Sequence, residues 1–132
     1  MKPLEGKNII CVGPADELLR VEDLITAWGG CVGRVKTFEQ MRQALASQPV
    51  DLVVVSVCRG CPCNFEFLPP KEKSAQFPPF LVVACGEDID LYLRAMERGA
   101  LDCIARPVDQ HELERILIKA LLEPAETLAV VA

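Results

Sequence analysis

Histidine is almost absent from this chain of 132 residues, which contains one, His111. His111 lies in the first turn of a predicted helix, where a side chain is normally solvated. No Ser/His/Asp or Cys/His set can be assembled around it. The sequence therefore does not indicate a nucleophilic enzyme.

Aromatic residues and excess positive charge are also scarce. Aromatics make up 5% of the chain, and 14 Lys and Arg face 19 Asp and Glu, which gives a net charge of −5. Tyr92, Phe65 and Phe67 are too scattered to form a platform for stacking bases. Binding to nucleic acid depends on clustered Lys and Arg, so we expect no nucleic-acid partner.

Long apolar runs are missing. The longest, Leu52 to Val55 and Phe80 to Cys85, are far shorter than a membrane span, and no apolar stretch of signal-peptide length follows MKPLEGKN. We expect a soluble cytoplasmic protein that has no membrane partner.

The composition that remains is that of a folded domain, with 51% hydrophobic and 25% charged residues. The length corresponds to one domain. We assign residues 1–123 to it and residues 124–132 to a tail or the start of a linker.

Five short segments rich in β-branched residues predict strands: Asn8 to Val12, Cys31 to Val35, Asp51 to Val57, Phe80 to Cys85 and Asp102 to Ala105. The third and fourth are continuously apolar, which is typical of a parallel sheet covered on both faces.

Four segments with apolar residues three and four apart predict helices: Asp16 to Trp28, Thr37 to before Pro49, Asp88 to Gly99, and Asp109 to before Pro124. Thr37 with Gln40 and Asp109 with Glu112 are capping-box pairs. Strands that alternate with helices indicate an α/β protein.

The crossover from Cys58 to Pro79 departs from this alternation. Five of the ten prolines fall in it: Pro62, Pro69, Pro70, Pro78 and Pro79. Proline has no N–H for a helix, so we expect a long loop in which the helix is lost or rudimentary.

The order of these elements, together with the strings KNIICV, PVDLVVVSV, PPFLVVACGED and AMERGALDCIARPVDQHELERIL, resembles the receiver domain of two-component response regulators over Lys7 to Leu122. The resemblance implies a doubly wound, flavodoxin-like parallel sheet with strand order 2-1-3-4-5. It also implies a site at the carboxyl ends of strands one and three.

Such receivers hold Mg²⁺ with an acidic pair after strand one and accept phosphoryl on an aspartate that ends strand three. The matching positions here are Gly13, Pro14 and Ser56, and none is a carboxylate. The resemblance therefore implies a degenerate receiver with neither phosphotransfer nor a bound cofactor.

Three further positions depart from the receiver pattern. The hydroxyl residue after strand four is Ala84, the aromatic switch residue of strand five is Cys103, and the lysine before proline is Arg106. The resemblance implies a cis bond at Arg106-Pro107. Arg106 is available either to an anion or to pairing with Glu87 or Asp88.

Seven cysteines, an odd number placed mostly in or beside apolar runs, favour free thiols over a disulfide framework. Cys58, Cys61 and Cys63 form C-x2-C-x-C after strand three, and Cys85 ends strand four. These four could instead hold Zn²⁺ or an iron–sulfur cluster. The same spacing is also compatible with a redox pair at Cys58 and Cys61, or with inert thiols in a loop.

Two functions follow as hypotheses. The first is a non-phosphorylatable signalling module that binds a protein partner or dimerises through its last two helices and last strand, about Asp88 to Arg98, Asp102 to Ala105 and Gln110 to Leu122. The second is a metal or redox sensor built on the loop cysteines.

Overall fold

The computed structural model describes residues 3–13, 15–57, 77–86 and 88–122, without the side chains of residues 15–17 and 38. In chain order the elements are β1 (Asn8–Val12), α1 (Ala15–Ala27), β2 (Cys31–Val35), α2 (Phe38–Ser47), β3 (Leu52–Val57), β4 (Phe80–Ala84), α3 (Ile89–Glu97), β5 (Asp102–Ala105) and α4 (Gln110–Leu121).

The strands form one parallel sheet in the order β2-β1-β3-β4-β5, which confirms the predicted doubly wound topology. β3 pairs with β1 on one side and β4 on the other, through register pairs such as Val12 with Val55 and Val57 with Ala84. The chain order reverses direction at β1 and β3, so the crevice of a doubly wound sheet opens beyond their carboxyl ends.

Every residue of β3 and β4 is buried, as their continuous apolar runs predicted. Alternate side chains enter two separate apolar clusters. One cluster joins the sheet to α1 and α4 and includes Leu18 and Leu117. The other joins it to α2 and α3 and includes Met41 and Leu91. The sheet therefore lies between two helix layers.

Side-chain caps begin three of the helices. The Thr37 hydroxyl accepts from the Gln40 N–H at 3.1 Å, and the Gln40 side chain accepts from the N–H of Lys36 at 2.7 Å. Asp109 accepts from the Glu112 N–H at 3.3 Å. The capping pairs thus begin α2 and α4 as predicted. Asp88 caps α3.

The helices are between 9 and 13 residues long. Across the described ranges, none of them combines the length and the apolar character that crossing a bilayer requires.

Some boundaries differ from the sequence-based ones by one residue. α1 is displaced by one residue, β3 begins after Asp51, and β4 ends before Cys85. Asp51 lies outside the strand, and its carboxylate accepts the Asn8 N–H at 2.8 Å. The predictions for the loop at 58–76 and the tail at 124–132 lie outside the described residues.

Candidate functional site

The carboxyl ends of β1, β3, β4 and β5 bring the predicted pocket positions to one edge of the sheet. Gly13 follows the Val12–Val55 register pair and thus lies beside Ser56. Ala84 pairs with Ala105, and the Arg106 N–H donates to the Ala84 carbonyl at 2.9 Å. Pro14, the remaining position, lies outside the described residues.

The backbone of Gly13 lies directly against Ser56. A Cβ placed on Gly13 would come 2.7 Å from the Ser56 Cβ and 3.6 Å from the Leu18 Cδ1, and Gly13 has φ +136°. Only 1% of Ser56 is exposed. This backbone has no room for a carboxylate side chain at position 13, and Ser56 next to it is buried.

These residues do not fit a receiver-type magnesium site. Mg²⁺ binds carboxylate and other oxygens in near-octahedral geometry. Gly13 brings no side-chain oxygen, and Ser56 lies buried beneath it. Within the described residues, no three His, Cys, Asp or Glu side chains converge as metal ligands.

An ion pair that the sequence did not predict holds the Gly13 segment. Arg34 of β2 pairs with Glu22 of α1, and its guanidinium also donates to the Gly13 carbonyl at 3.4 Å. These contacts link β2, α1 and the turn after β1.

The same edge contains the buried thiol of Cys11. Burial, together with the carboxylate of Glu22, raises its pKa to about 12, and the cation of Arg34 acts in the opposite direction. Cys11 is therefore a neutral thiol at physiological pH, and a neutral thiol is a poor nucleophile.

Cys85 contradicts the expectation of free thiols, because it is disulfide-bonded. Its N–H donates to the Val57 carbonyl at 3.2 Å. Its sulfur lies 3.6 Å from the same carbonyl oxygen. A disulfide sulfur has no thiolate to offer a metal. Cys58, Cys61 and Cys63 lie outside the described residues.

A cavity of about 480 Å³ opens where β4 and β5 end beneath the start of α3. Its lining consists of Ala84, Gly86, Asp88, Ile89, Tyr92, Cys103 and Ala105. Four of these residues are small, which leaves the space open. The cavity therefore lies at the two positions, 84 and 103, where receivers carry a hydroxyl and an aromatic ring.

The Cys103 thiol in this cavity is neutral as well. Partial burial, together with the carboxylates of Asp102 and Asp88, raises its pKa to about 11. Negative charge thus reaches the cavity from both β5 and α3.

Large apolar side chains are exposed on α3, and two of them, Ile89 and Tyr92, line this cavity. Ile89 is 76% exposed, Leu93 58% and Tyr92 41% on α3, and Leu101 precedes β5. Ile118 of α4 is also exposed. Exposed apolar side chains that cluster on one face mark interaction surfaces. Except for Leu101, they fall on the elements that the sequence nominated for partner binding.

The turn after β5 has the predicted conformation, since the Arg106-Pro107 peptide bond is cis. The proposed pairing of Arg106 with Glu87 lies outside the described residues. His111 is exposed in α4, as expected for a solvated residue.

The structure is similar to those of response-regulator receiver domains. It matches full-length FixJ from B. japonicum with TM-score 0.71 and 22% identity, over 96% of this chain and 64% of that one. It matches the signal receiver domain of an HD domain-containing protein from Pseudomonas fluorescens Pf-5 with TM-score 0.68 and 21% identity, over 87% and 94%. It matches CheY4 of Vibrio cholerae, a chemotaxis response regulator, with TM-score 0.66 and 16% identity, over 87% and 98%.

One curated protein is similar in sequence. This chain is 34% identical over 80 residues to the DNA-binding transcriptional regulator NtrC of Rhizobium meliloti (strain 1021). The match covers 61% of this chain and spans only 16% of the length of that regulator. No protein-family model matches the chain. The chain accordingly has the receiver fold.

Proposed function

We propose that this protein is a non-enzymatic, receiver-like module of two-component signalling. It works in the cytoplasm through protein–protein interaction and without phosphorylation. The observation that carries the proposal is the burial of Ser56, the residue at the phosphoacceptor position, which lies against Gly13.

Chemistry at the pocket supports the proposal. Phosphoryl transfer to a side chain requires an accessible nucleophile and a cation that neutralises the developing charge. Ser56 is 1% exposed, and neither Gly13 nor Ala84 supplies a polar side-chain atom beside it. The hydroxyl of Ser56 is therefore inaccessible to a phosphoryl donor, and neither Gly13 nor Ala84 provides a side-chain oxygen to bind a magnesium ion.

The residues between the pocket and the face made by α3, β5 and α4 also support the proposal. A ligand shifts a conformational equilibrium only if it binds the two states with different affinity. Ala84 has no hydroxyl to contact a phosphoryl group, and Cys103 has no ring to change position. The face made by α3, β5 and α4 is thus constitutive, and its exposed Ile89 and Leu93 are available to a partner at all times.

Treatment with acetyl phosphate and Mg²⁺, followed by intact-mass spectrometry, tests the proposal. We expect no phosphoryl adduct, while a receiver domain that carries the acidic pair and the acceptor aspartate becomes modified in parallel. An adduct that disappears in Ser56→Ala would overturn the proposal.

A second test addresses the output. Ser56→Ala should leave self-association, measured by sedimentation, unchanged within about a factor of three, which is roughly 0.7 kcal/mol. A tenfold change in a folded variant would show that the residue at the phosphoacceptor position still controls the face made by α3, β5 and α4.

A further inference from the structure

We infer that the cavity between α3 and the ends of β4 and β5 is a recognition pocket for one aromatic side chain of a partner protein, presented in a segment rich in Lys and Arg. The inference rests on the proposed function, because it names what the constitutive face binds.

The volume of the cavity and its small lining residues fit an aromatic group. Four small residues, Ala84, Gly86, Cys103 and Ala105, contribute to its lining. The volume of about 480 Å³ accommodates an indole or phenol ring together with part of the backbone that carries it. Larger side chains at these four positions would fill that space.

The rim supplies apolar contact area. Ile89 and Tyr92 line the cavity and are 76% and 41% exposed, so docking against them removes apolar surface from water. The sulfur of Cys103 adds a contact of the kind that aromatic rings favour. Aromatic residues that enter such pockets commonly dominate binding energy.

The charge of the site selects the flanking residues. The carboxylates of Asp88 and Asp102 both act on the Cys103 thiol inside the cavity, and Asp90 lies in the first turn of α3. Arg94 and Arg98 lie further along that helix and at its end. The chain as a whole has a net charge of −5. A partner segment with Lys or Arg beside the aromatic complements this field, whereas an acidic segment is repelled.

Three tripeptide probes test the inference on the intact chain: acetyl-Lys-Trp-Lys-amide, acetyl-Glu-Trp-Glu-amide and acetyl-Lys-Ala-Lys-amide. Binding is followed by amide chemical shifts in ¹H–¹⁵N spectra. We expect saturable shifts at Gly86, Cys103 and Ala105 with Lys-Trp-Lys, at least tenfold weaker binding of Glu-Trp-Glu, and no saturation with Lys-Ala-Lys.

Matched variants tie the binding to the cavity. Cys103→Phe fills the pocket and should weaken Lys-Trp-Lys binding at least tenfold, whereas Cys31→Phe, at an exposed cysteine of β2, should leave it unchanged. Asp88→Asn keeps the helix cap but removes the charge, and should weaken binding about threefold. Ile89→Ala, at a largely exposed rim position, should also weaken binding several-fold without unfolding the protein.

Four results would overturn the inference. The first is equal binding of the three peptides, and the second is a set of shifts centred away from the cavity. The third is unweakened binding by both the Cys103→Phe variant and the Ile89→Ala variant. The fourth is self-association of the protein that Cys103→Phe abolishes. The last would identify a second copy of this chain as the occupant. Each result leaves the acetyl phosphate experiment unaffected, so failure of the pocket and failure of the proposed function are distinguishable.

Discussion

Gly13 packs so closely on Ser56 that a Cβ at position 13 would come 2.7 Å from the Ser56 Cβ. The two residues occupy the positions where a receiver needs a magnesium-binding carboxylate and a phosphoacceptor. Here they instead lie in close contact, and the Arg34 guanidinium donates a hydrogen bond to the Gly13 carbonyl. The residue at the phosphoacceptor position is therefore buried.

The first prediction concerns this contact. Gly13→Ala should destabilise the fold by about 3 kcal/mol, because it combines a positive φ with a clash against Ser56. Gly6→Ala, with φ +85° and nothing within 4 Å, should cost about 1 kcal/mol. Gly86→Ala, which also meets nothing within 4 Å, should change stability by less than about 0.5 kcal/mol. Urea unfolding monitored by circular dichroism measures all three.

A double-mutant cycle isolates the clash in Gly13→Ala. Since the atom that clashes is the Ser56 Cβ, adding Ser56→Gly should recover more than about 1 kcal/mol, and adding Ser56→Ala should recover nothing. Equal coupling in the two cycles would show that residues 13 and 56 do not touch as described.

The second prediction is an order of thiol reactivity. Cys31 is exposed, Cys103 is partly buried with its pKa raised to about 11, and Cys11 is buried with its pKa raised to about 12. Because the thiolate is the nucleophile, iodoacetamide at pH 8 should alkylate Cys31 first, Cys103 more slowly and Cys11 only on unfolding. Peptide mapping after timed quenching measures the order. Alkylation of Cys11 before Cys31 in folded protein would contradict it.

The third prediction concerns alkaline stability. In the unfolded chain the Cys11 thiol ionises near its ordinary pKa of 9.0, whereas in the folded protein it stays neutral until about 12. Between those values the folded state binds more protons, so stability is full below pH 9 and falls as pH rises toward 12. The slope from this thiol is at most about 1.4 kcal/mol per pH unit.

Variants assign that slope to the buried thiol. Urea unfolding at pH 8, 9 and 10 should show a smaller loss of stability in Cys11→Ala than in the unchanged protein. Cys31→Ala, which removes an exposed thiol, should lose stability as the unchanged protein does. An identical pH dependence in the Cys11 variant would refute the assignment.

The fourth prediction concerns the start of α3. The Asp88 carboxylate accepts the N–H groups of Asp90 and Leu91 at 3.1 and 3.2 Å. Asp88→Ala should therefore cost about 1 kcal/mol, and Asp88→Asn, which keeps an acceptor oxygen, should cost only a few tenths. Thermal unfolding compares the two variants. Equal losses would mean that the cap does not stabilise the helix.

The sequence predicted most of the architecture because burial imposes periodic patterns. The unbroken apolar runs of β3 and β4 indicated a sheet covered on both faces, and Thr37 and Asp109 marked helix starts through their capping oxygens. Local signals of this kind need no knowledge of distant residues.

Features that depend on distant residues were missed. The Arg34–Glu22 ion pair joins two elements whose contact the sequence pattern does not show. The disulfide bond of Cys85 is likewise set by the tertiary structure. The sequence showed that position 13 lacks a carboxylate, but the positive φ that presses Gly13 onto Ser56 is visible only in the folded backbone.

The most direct test of a closed, non-phosphorylatable pocket is titration with beryllofluoride and Mg²⁺, which together mimic a phosphoryl group, followed by ¹H–¹⁵N spectra. We predict no saturable shift at the amides of Gly13, Ser56, Ala84 or Arg106, since Ser56 is buried and no carboxylate at position 13 or 56 binds the metal. Saturable, magnesium-dependent shifts at these amides, accompanied by changes along α3 and β5, would contradict the account.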